Sequence, residues 1–286
     1  MRLFQTAVIA LAAASSAWAA ADPKLLGLLM PDAQMIAGVH LGQAKASPFG
    51  QFVLSQTGPA AELDKLKAAT GFDPRTDMTE MVAGSALTGA GLVAGHGSFQ
   101  AARLTAFATT SGAKTENYRG ITLVSSGELA VAFLDGTTVI LGPPAVAKGA
   151  IDRWLSGPSS SALAAKAAQV SSSSHAWAVA AGFASLLGSG APNTPEAQMA
   201  QNVASKISQV SAGMNFADTI TMRADAQATS SQDAQALADV LRFVVAMSAD
   251  KAPLPVTPQV TSTGDTVSLV MTLTQQQAEK LFPARR

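Results

Sequence analysis

Three histidines, His40, His96 and His175, are the side chains of this chain whose ordinary pKa lies nearest neutrality. They stand far apart in sequence. None has a neighbour of the H-E-x-x-H kind, in which one helix turn presents two nitrogens to a single metal ion. No metal site is expected from them. His40 closes an apolar run and reads as a rim or partly buried histidine. His175 follows four serines, Ser171 to Ser174, and reads as solvated. Carboxylates gather once, at Asp73, Asp77 and Glu80 around Arg75. A calcium loop needs three or more converging oxygens in a denser pattern. A solvated, self-neutralising turn is therefore expected, and Asp73 before Pro74 is a turn former in its own right.

Two other spacings resemble catalytic or cofactor motifs. Gly89-Ala90-Gly91-Leu92-Val93-Ala94 matches G-x-G-x-x-A, which binds a dinucleotide only where it joins a strand to a helix N-terminus. Here the following residues read as strand, and Thr109 to Ala113 supply no acidic partner, so a glycine-containing turn is expected. Ser111-Gly112-Ala113-Lys114 matches S-x-x-K, whose mechanism needs the serine at a helix start with the lysine one turn on. This segment falls at a helix end and lacks companion S-D-N and K-T-G elements, which makes it a loop serine and a solvated lysine. No G-x-S-x-G elbow occurs. Catalytic residues are thus unassigned, and neither a cofactor nor a metal is implied.

Composition narrows the classes further. The chain has 286 residues with 19 basic and 19 acidic side chains and no cysteine. Thiolate sites, disulfides and a lipidated N-terminal cysteine are excluded. Charge neutrality argues against a nucleic-acid partner, which usually calls for a Lys/Arg excess. Aromatic residues are 5% of the chain, too few for a sugar-stacking platform.

Residues 1–19 read as a cleaved export signal. Met1-Arg2 is a short positive end, Leu3 to Ala14 is apolar save for Gln5 and Thr6, and Ala17-Trp18-Ala19 supplies the small-x-small pattern before a cut. Cleavage is expected after Ala19, with Ala21 as the alternative. The run is too short to anchor in a bilayer, which takes about 20 apolar residues. No later segment offers such a span. A periplasmic or secreted protein is expected.

The body alternates strands and helices. Met35 to Leu41 reads as a strand, Ser47-Pro48 as a helix start, and Ala60 to Ala69 as a helix ended by Thr70-Gly71. Met78 to Leu87 and Gly91 to Gly95 read as paired strands, and Ser98 as the cap of a helix through Phe107. Tyr118 to Ser125, Leu129 to Asp135 and Thr137 to Leu141 are expected strands, the last two joined by a two-residue Asp135-Gly136 hairpin turn. Pro143-Pro144 opens a helix to Leu155. After a Ser/Gly/Pro-containing connection at 157–174, Ala176 to Ala181 is a strand. Phe183 to Leu187 begins a helix or continues the strand, a loop runs from Gly188 to Pro195, and a helix from Glu196 to Ser205 follows. Val210 to Phe216 and Thr219 to Ala228 form a hairpin. Ser231 is expected to cap the helix Gln232 to Met247, with Leu237, Val240, Leu241, Val244 and Val245 on one buried face. A hairpin around Gly264-Asp265 and a helix from Gln275 to Phe282 close the chain.

The same element order appears in residues 20–156 and 175–286. Gly89 to Phe107 lines up with Thr219 to Val245, and Leu129 to Leu155 with Val260 to Phe282, so an internal duplication is expected. Frequent hairpins imply antiparallel pairing. Amphipathic helices need a sheet to cover, and an α+β fold with antiparallel sheet layers under helices is expected.

Leu28-Leu29-Met30-Pro31-Asp32-Ala33, the strand after it, Ser47-Pro48-Phe49-Gly50-Gln51 and Thr70 through Asp77 resemble uncharacterised bacterial exported proteins. In those, a "P-A-D" strand, an "S-P-x-G" helix and a "G-x-D-P-x-x-D" turn recur in that order. The resemblance covers residues 28–155. It implies export and an α+β fold and brings no known activity. The functional expectation is a non-catalytic binding or structural protein, its partner another exported protein met at an exposed sheet edge. The alternatives are a hydrolase with residues scattered in sequence, with His40, His96 or Asp73 facing one pocket, and a carrier of a small apolar ligand, compatible with ten Met.

Overall fold

A computed structural model describes residues 20–56, 60–86, 89–157, 160–182, 195–217, 219–248 and 256–281. The expected leader at 1–19, the segment Phe183 to Leu187 and the loop after it up to residue 194 lie outside the described residues. Twelve strands form one continuous antiparallel sheet with helices on both faces. The α+β class and the hairpin-rich pairing are as the sequence implies.

In chain order the elements are α1 (Pro23–Leu28), β1 (Met35–Val39), α2 (Leu41–Ala46), α3 (Pro48–Gln56), α4 (Ala60–Thr70), α5 (Pro74–Asp77), β2 (Met78–Ser85), β3 (Gly91–Gly97) and α6 (Ala101–Thr110). Next come β4 (Lys114–Tyr118), β5 (Ile121–Ser126), β6 (Leu129–Phe133), β7 (Thr138–Gly142), α7 (Pro144–Ser156), α8 (Ala162–Ser171) and β8 (Ala176–Ala181). The rest are α9 (Pro195–Ala204), β9 (Ile207–Phe216), β10 (Thr219–Ala228), α10 (Ser231–Ser248), β11 (Gln259–Thr263), β12 (Thr266–Thr274) and α11 (Gln275–Leu281). The sheet order is β11-β12-β10-β9-β8-β1-β2-β3-β7-β6-β5-β4. β1 and β8, which open the two halves of the chain, therefore pair with each other at the middle of the sheet.

The first face of the sheet is closed over β1, β2, β3, β7 and β8, while over β10 and β12 it carries Arg223, Asp225 and Ser268 toward water. Ile36, Val82, Leu92, Ile140 and Val179 point into it, each at most 1% exposed, beneath α1, α7 and α8. The connection at 157–174 contributes to this core, because α8 packs Leu163, Ala164 and Ala167 against the central strands. The Trp177 indole covers Gly38 of β1, where a Cβ would stand 2.7 Å from the indole Cε2. Glycine at that position is what lets a large ring lie on the strand.

Local chemistry explains where elements depart from expectation. The Asp73 side chain accepts the Arg75 N–H and caps a one-turn helix, α5, where only a turn was expected. α6 starts after Gln100, which makes no side-chain cap, and not at Ser98. An unforeseen strand, β4, joins β5 through Arg119 and Gly120, both at positive φ, with Asn117 Oδ1 accepting the Gly120 N–H. Between β6 and β7 the connection is longer than two residues: Asp135 Oδ1 accepts the N–H groups of Thr137 and Thr138, and Leu134 N–H reaches Thr138 C=O.

α10 is rotated part of the way from its expected face. The residues buried against the sheet are Ala234 and Ala238, with Leu237 and Leu241 beside them. Val240 and Val244 are 41% and 50% exposed. Small side chains seat the helix close to the strands, and Val240, Phe243, Val244 and Met247 face outward. The hydroxyl that receives the Asp233 N–H is Ser230, one residue before the expected cap.

Candidate functional site

Strand pairing brings His40 and His96 to Glu80, and a backbone bond sets His175 beside His40. Glu80 on β2 pairs with His96 on β3, and His96 with Thr138 on β7. His40, one residue past β1, donates its backbone N–H to the His175 carbonyl and holds its ring Nδ1 3.8 Å from Glu80 Oε1. Asp22, ahead of α1, joins them: its N–H donates to Glu80 Oε1 at 3.1 Å, and its Oδ2 lies 2.8 Å from His96 Nε2. His96 Nδ1 faces the Thr137 carbonyl at 3.2 Å.

His175 is buried, 9% exposed, which corrects the solvated placement expected from its serine neighbours. Ser172 and Ser173 fold their hydroxyls back onto the end of α8, and Asn215 Nδ2 donates to Ser173 C=O, so the serine run is a tight turn. His175 Nδ1 accepts the Phe216 N–H at 2.7 Å, and its ring stacks on Phe216 with centroids 5.4 Å apart. That places it against the second face of the sheet.

The carboxylate cluster separates. Glu80 points to the histidine row, where burial pushes its pKa up. Asp73 is 3% exposed and not solvated: Arg75 grips it through Nε and Nη2, Lys67 lies 3.3 Å away, and the arginine holds its carboxyl well below the usual carboxylate range. Asp77 Oδ2 accepts the Asp73 N–H. Among the described residues, Asp73 and the histidines thus belong to separate side-chain clusters. Among the described residues no three His, Asp or Glu stand where they could hold a metal ion. Cavities open at Lys24–Arg153–Trp154, between α9 and α10, and between α4 and α6, and none is lined by His40, Glu80, His96 or His175. Ser111 caps the end of α6 through the Phe107 carbonyl while Lys114 begins β4, and Gly89 to Gly91 turns into β3.

The second face of the sheet shows what motif reading missed. Running across β3, β2, β1, β8, β9, β10 and β12, one row of paired residues is Val93, Ala83, Ala37, Ala178, Ala212, Ala224 and Leu269. The row on one side is Gly91, Ser85, Met35, Ala180, Val210, Ala226 and Val267. The row on the other is Gly95, Met81, Val39, Ala176, Met214, Met222 and Met271. The three rows contain no charge and a single hydroxyl. An antiparallel sheet that shows one face to water ordinarily makes it polar. Here Ala212 and Ala224 are exposed, Met35 is 42% exposed, and Ala37, Ala83 and Ala178 are half-buried.

Among the described residues, helices border this strip and leave its middle open. On one flank α3 and α11 bury Phe49, Phe216, Ile220 and Leu273, with the methionine row packed against that cluster. On another, α10 lies over β10 to β12. Its Ala236, Leu237 and Val240 line a cavity of about 240 Å³ with Asn202 and Val203 of α9. From Ala83 to Ala224 the alanine row crosses four strand spacings, about 19 Å. The result is an apolar trough with a smooth floor, flexible methionines along one side and no unpaired strand backbone in its base.

No family model matches the chain, and no curated protein matches it in sequence. Three crystal forms of TP0453 share its fold. Form III superposes with a TM-score of 0.61 at 11% identity, covering 90% of this chain and 96% of that one. Forms IV and I give TM-scores of 0.58 and 0.57, each at 13% identity, over 94% and 93% of this chain and 99% and 98% of those.

Proposed function

We propose that this protein is an exported, non-catalytic binding protein whose ligand is an apolar chain laid across the trough. The observation that carries this reading is the partly exposed, charge-free second face of the central strands, opposite a first face that is sealed under helices at β1, β2 and β8. An uncovered apolar strip of this extent marks a binding surface. Every strand bordering the alanine row is paired on both sides within the sheet, so the floor offers an occupant area and no hydrogen bonds. A hydrocarbon chain asks for nothing else, and gains about 0.8 kcal/mol per buried CH₂.

A protein partner at a sheet edge fits less well. The β11 edge has its Val260 carbonyl taken by Arg242, and the β4 edge carries Lys114 and Glu116, charges that discourage strand addition. The charges along α10 are spoken for, Asp233 by Lys206 and Asp239 by Arg242, leaving none set aside for a charged partner. The hydrolase alternative loses its support with the separation of Asp73 from the histidines. The leader at 1–19 supplies export, and the shared element order of the halves supports duplication of one ancestral unit. Native mass spectrometry of the protein purified from its host's exported fraction, followed by organic extraction, tests the reading. A stoichiometric apolar mass supports it, and a chain that neither carries nor takes up any apolar ligand refutes it.

A further inference from the structure

We propose that the cavity between α1 and α7 is a second binding site, for a small organic acid whose carboxylate is held by Lys24 and Arg153 and whose apolar body lies against Trp154 and Leu28. Among the described residues these line the cavity, which measures about 250 Å³. α1 and α7 pack together over the first face of the sheet, so the site stands whatever the trough on the second face binds. Lys24 and Leu28 are one turn apart and share a side of α1. Arg153 and Trp154 are neighbours near the end of α7, both half-buried. Arg153 donates from Nε at 3.0 Å and Nη2 at 2.7 Å to the Leu28 carbonyl, which ties the end of α1 to α7. Both bonds come from one edge of the guanidinium. The other edge, Nη1 with the second Nη2 hydrogen, is the fork that a carboxylate accepts in two bonds. Gly149, one turn earlier, keeps a side chain off it, since a Cβ there would stand 3.4 Å from Arg153 Nη1. Holding α1 accounts for one edge of Arg153 and for nothing of Lys24.

The carboxylates nearby are engaged elsewhere or stand off. Asp152 is held by Arg119 at 2.6 Å and by the Tyr118 hydroxyl at 3.1 Å. Asp22 gives Oδ1 to the Lys24 backbone N–H and Oδ2 to His96. The charge of Asp32, an exposed residue, reaches Arg153 through space. Among the described residues neither Lys24 nor Arg153 forms an ion pair. Burial pulls the Arg153 pKa below that of a free arginine. It is a half-buried cation short of a counter-ion, and a ligand carboxylate supplies one. The cavity has the liquid volume of about eight waters, below the range that takes drug-sized ligands. That restricts the apolar body to roughly one ring or a short branched chain.

The test is an NMR titration of the full mature chain, residues 20–286, with benzoate, benzamide and inorganic phosphate. It is read at the indole N–H signals of Trp154 and Trp177, the tryptophans of that chain. The expected result is a saturable shift of Trp154 with benzoate while Trp177, 4% exposed in the core, stays still. Benzamide keeps the ring without the charge, and phosphate keeps the charge without the ring. Each should bind at least about tenfold more weakly than benzoate. Lys24→Gln should weaken benzoate about fivefold. Lys24 is exposed, so the substitution leaves the fold in place, and an unchanged Trp177 signal verifies it. A Trp154 signal unmoved by about 10 mM benzoate overturns the proposal. So does benzamide or phosphate bound as tightly as benzoate, or full benzoate affinity in Lys24→Gln.

Discussion

Ala212→Asp separates folding from binding more cleanly than any other change in the trough. Ala212 lies in the middle of β9, paired with Ala178 and Ala224, and its methyl group is exposed on the apolar floor. In the free protein an aspartate there keeps its hydration, and the cost is chiefly the poor strand preference of Asp, about 1 kcal/mol or less. Under a bound hydrocarbon chain the same carboxylate must shed water with no partner, because the three floor rows contain no charge and one hydroxyl. Desolvating an unpaired polar group costs about 1–3 kcal/mol by mutational measures, and an unpaired charge more. The expected loss of affinity is therefore at least about 30-fold, taking ~2 kcal/mol as a floor. Thermal unfolding and fluorescent fatty-acid titration, run side by side, read the two effects. Unchanged affinity in a well-folded Ala212→Asp variant would refute the trough as the site, and a large drop in stability would show that Ala212 is core.

Other perturbations probe the frame around it. Gly38→Ala should cost about 1–3 kcal/mol in denaturant unfolding, because the new methyl meets Trp177 Cζ2 and Cε2 on one side and the Met81 carbonyl, 3.0 Å away, on another. A chain beginning at Asp22 should be less stable by about 1–2 kcal/mol than one beginning at Ala20, since Ala21 is fully buried and its N–H donates to Ser171 Oγ. N-terminal sequencing of the exported protein should accordingly find Ala20, and a start at Asp22 would contradict that. Asp73→Asn should flatten the acid limb of stability. The Asp73 carboxyl titrates below its unfolded value, so its contribution is complete above about pH 4 and disappears as pH falls from there. Denaturant midpoints across that range, compared with wild type, measure it.

Elements whose signals are local were legible in the sequence. The Gly264-Asp265 hairpin, the Pro48 and Pro144 helix starts and the β9–β10 pair sit where turn chemistry and periodicity put them. The β4–β5 turn escaped because the first of its two left-handed residues is Arg119, a type that rarely adopts positive φ, with Gly120 after it. α10 misled through its own amphipathicity: periodicity finds a large-residue stripe but cannot tell that alanines seat the helix while valines face a groove. Part of the histidine row was within reach. Counting back along the β2–β3 hairpin from Ser85 opposite Gly91 brings Glu80 opposite His96. His40 and His175 needed the β1–β8 pairing, which joins residues far apart in sequence and leaves no local trace. The trough depends on six pairings at once, four of them between strands far apart in sequence, and single alanines and methionines in the sequence read as ordinary core.

The most direct measurement of the central claim is a methyl NMR titration of Ala- and Met-labelled mature protein with palmitate. The account predicts saturable shifts at Ala37, Ala178, Ala212, Ala224, Met214 and Met222, which share one face of the sheet. Ala94, Ala132 and Ala167, sealed in the opposite core, should stay still. Shifts confined to the sealed face or the sheet edges, or no shifts at all, would contradict it.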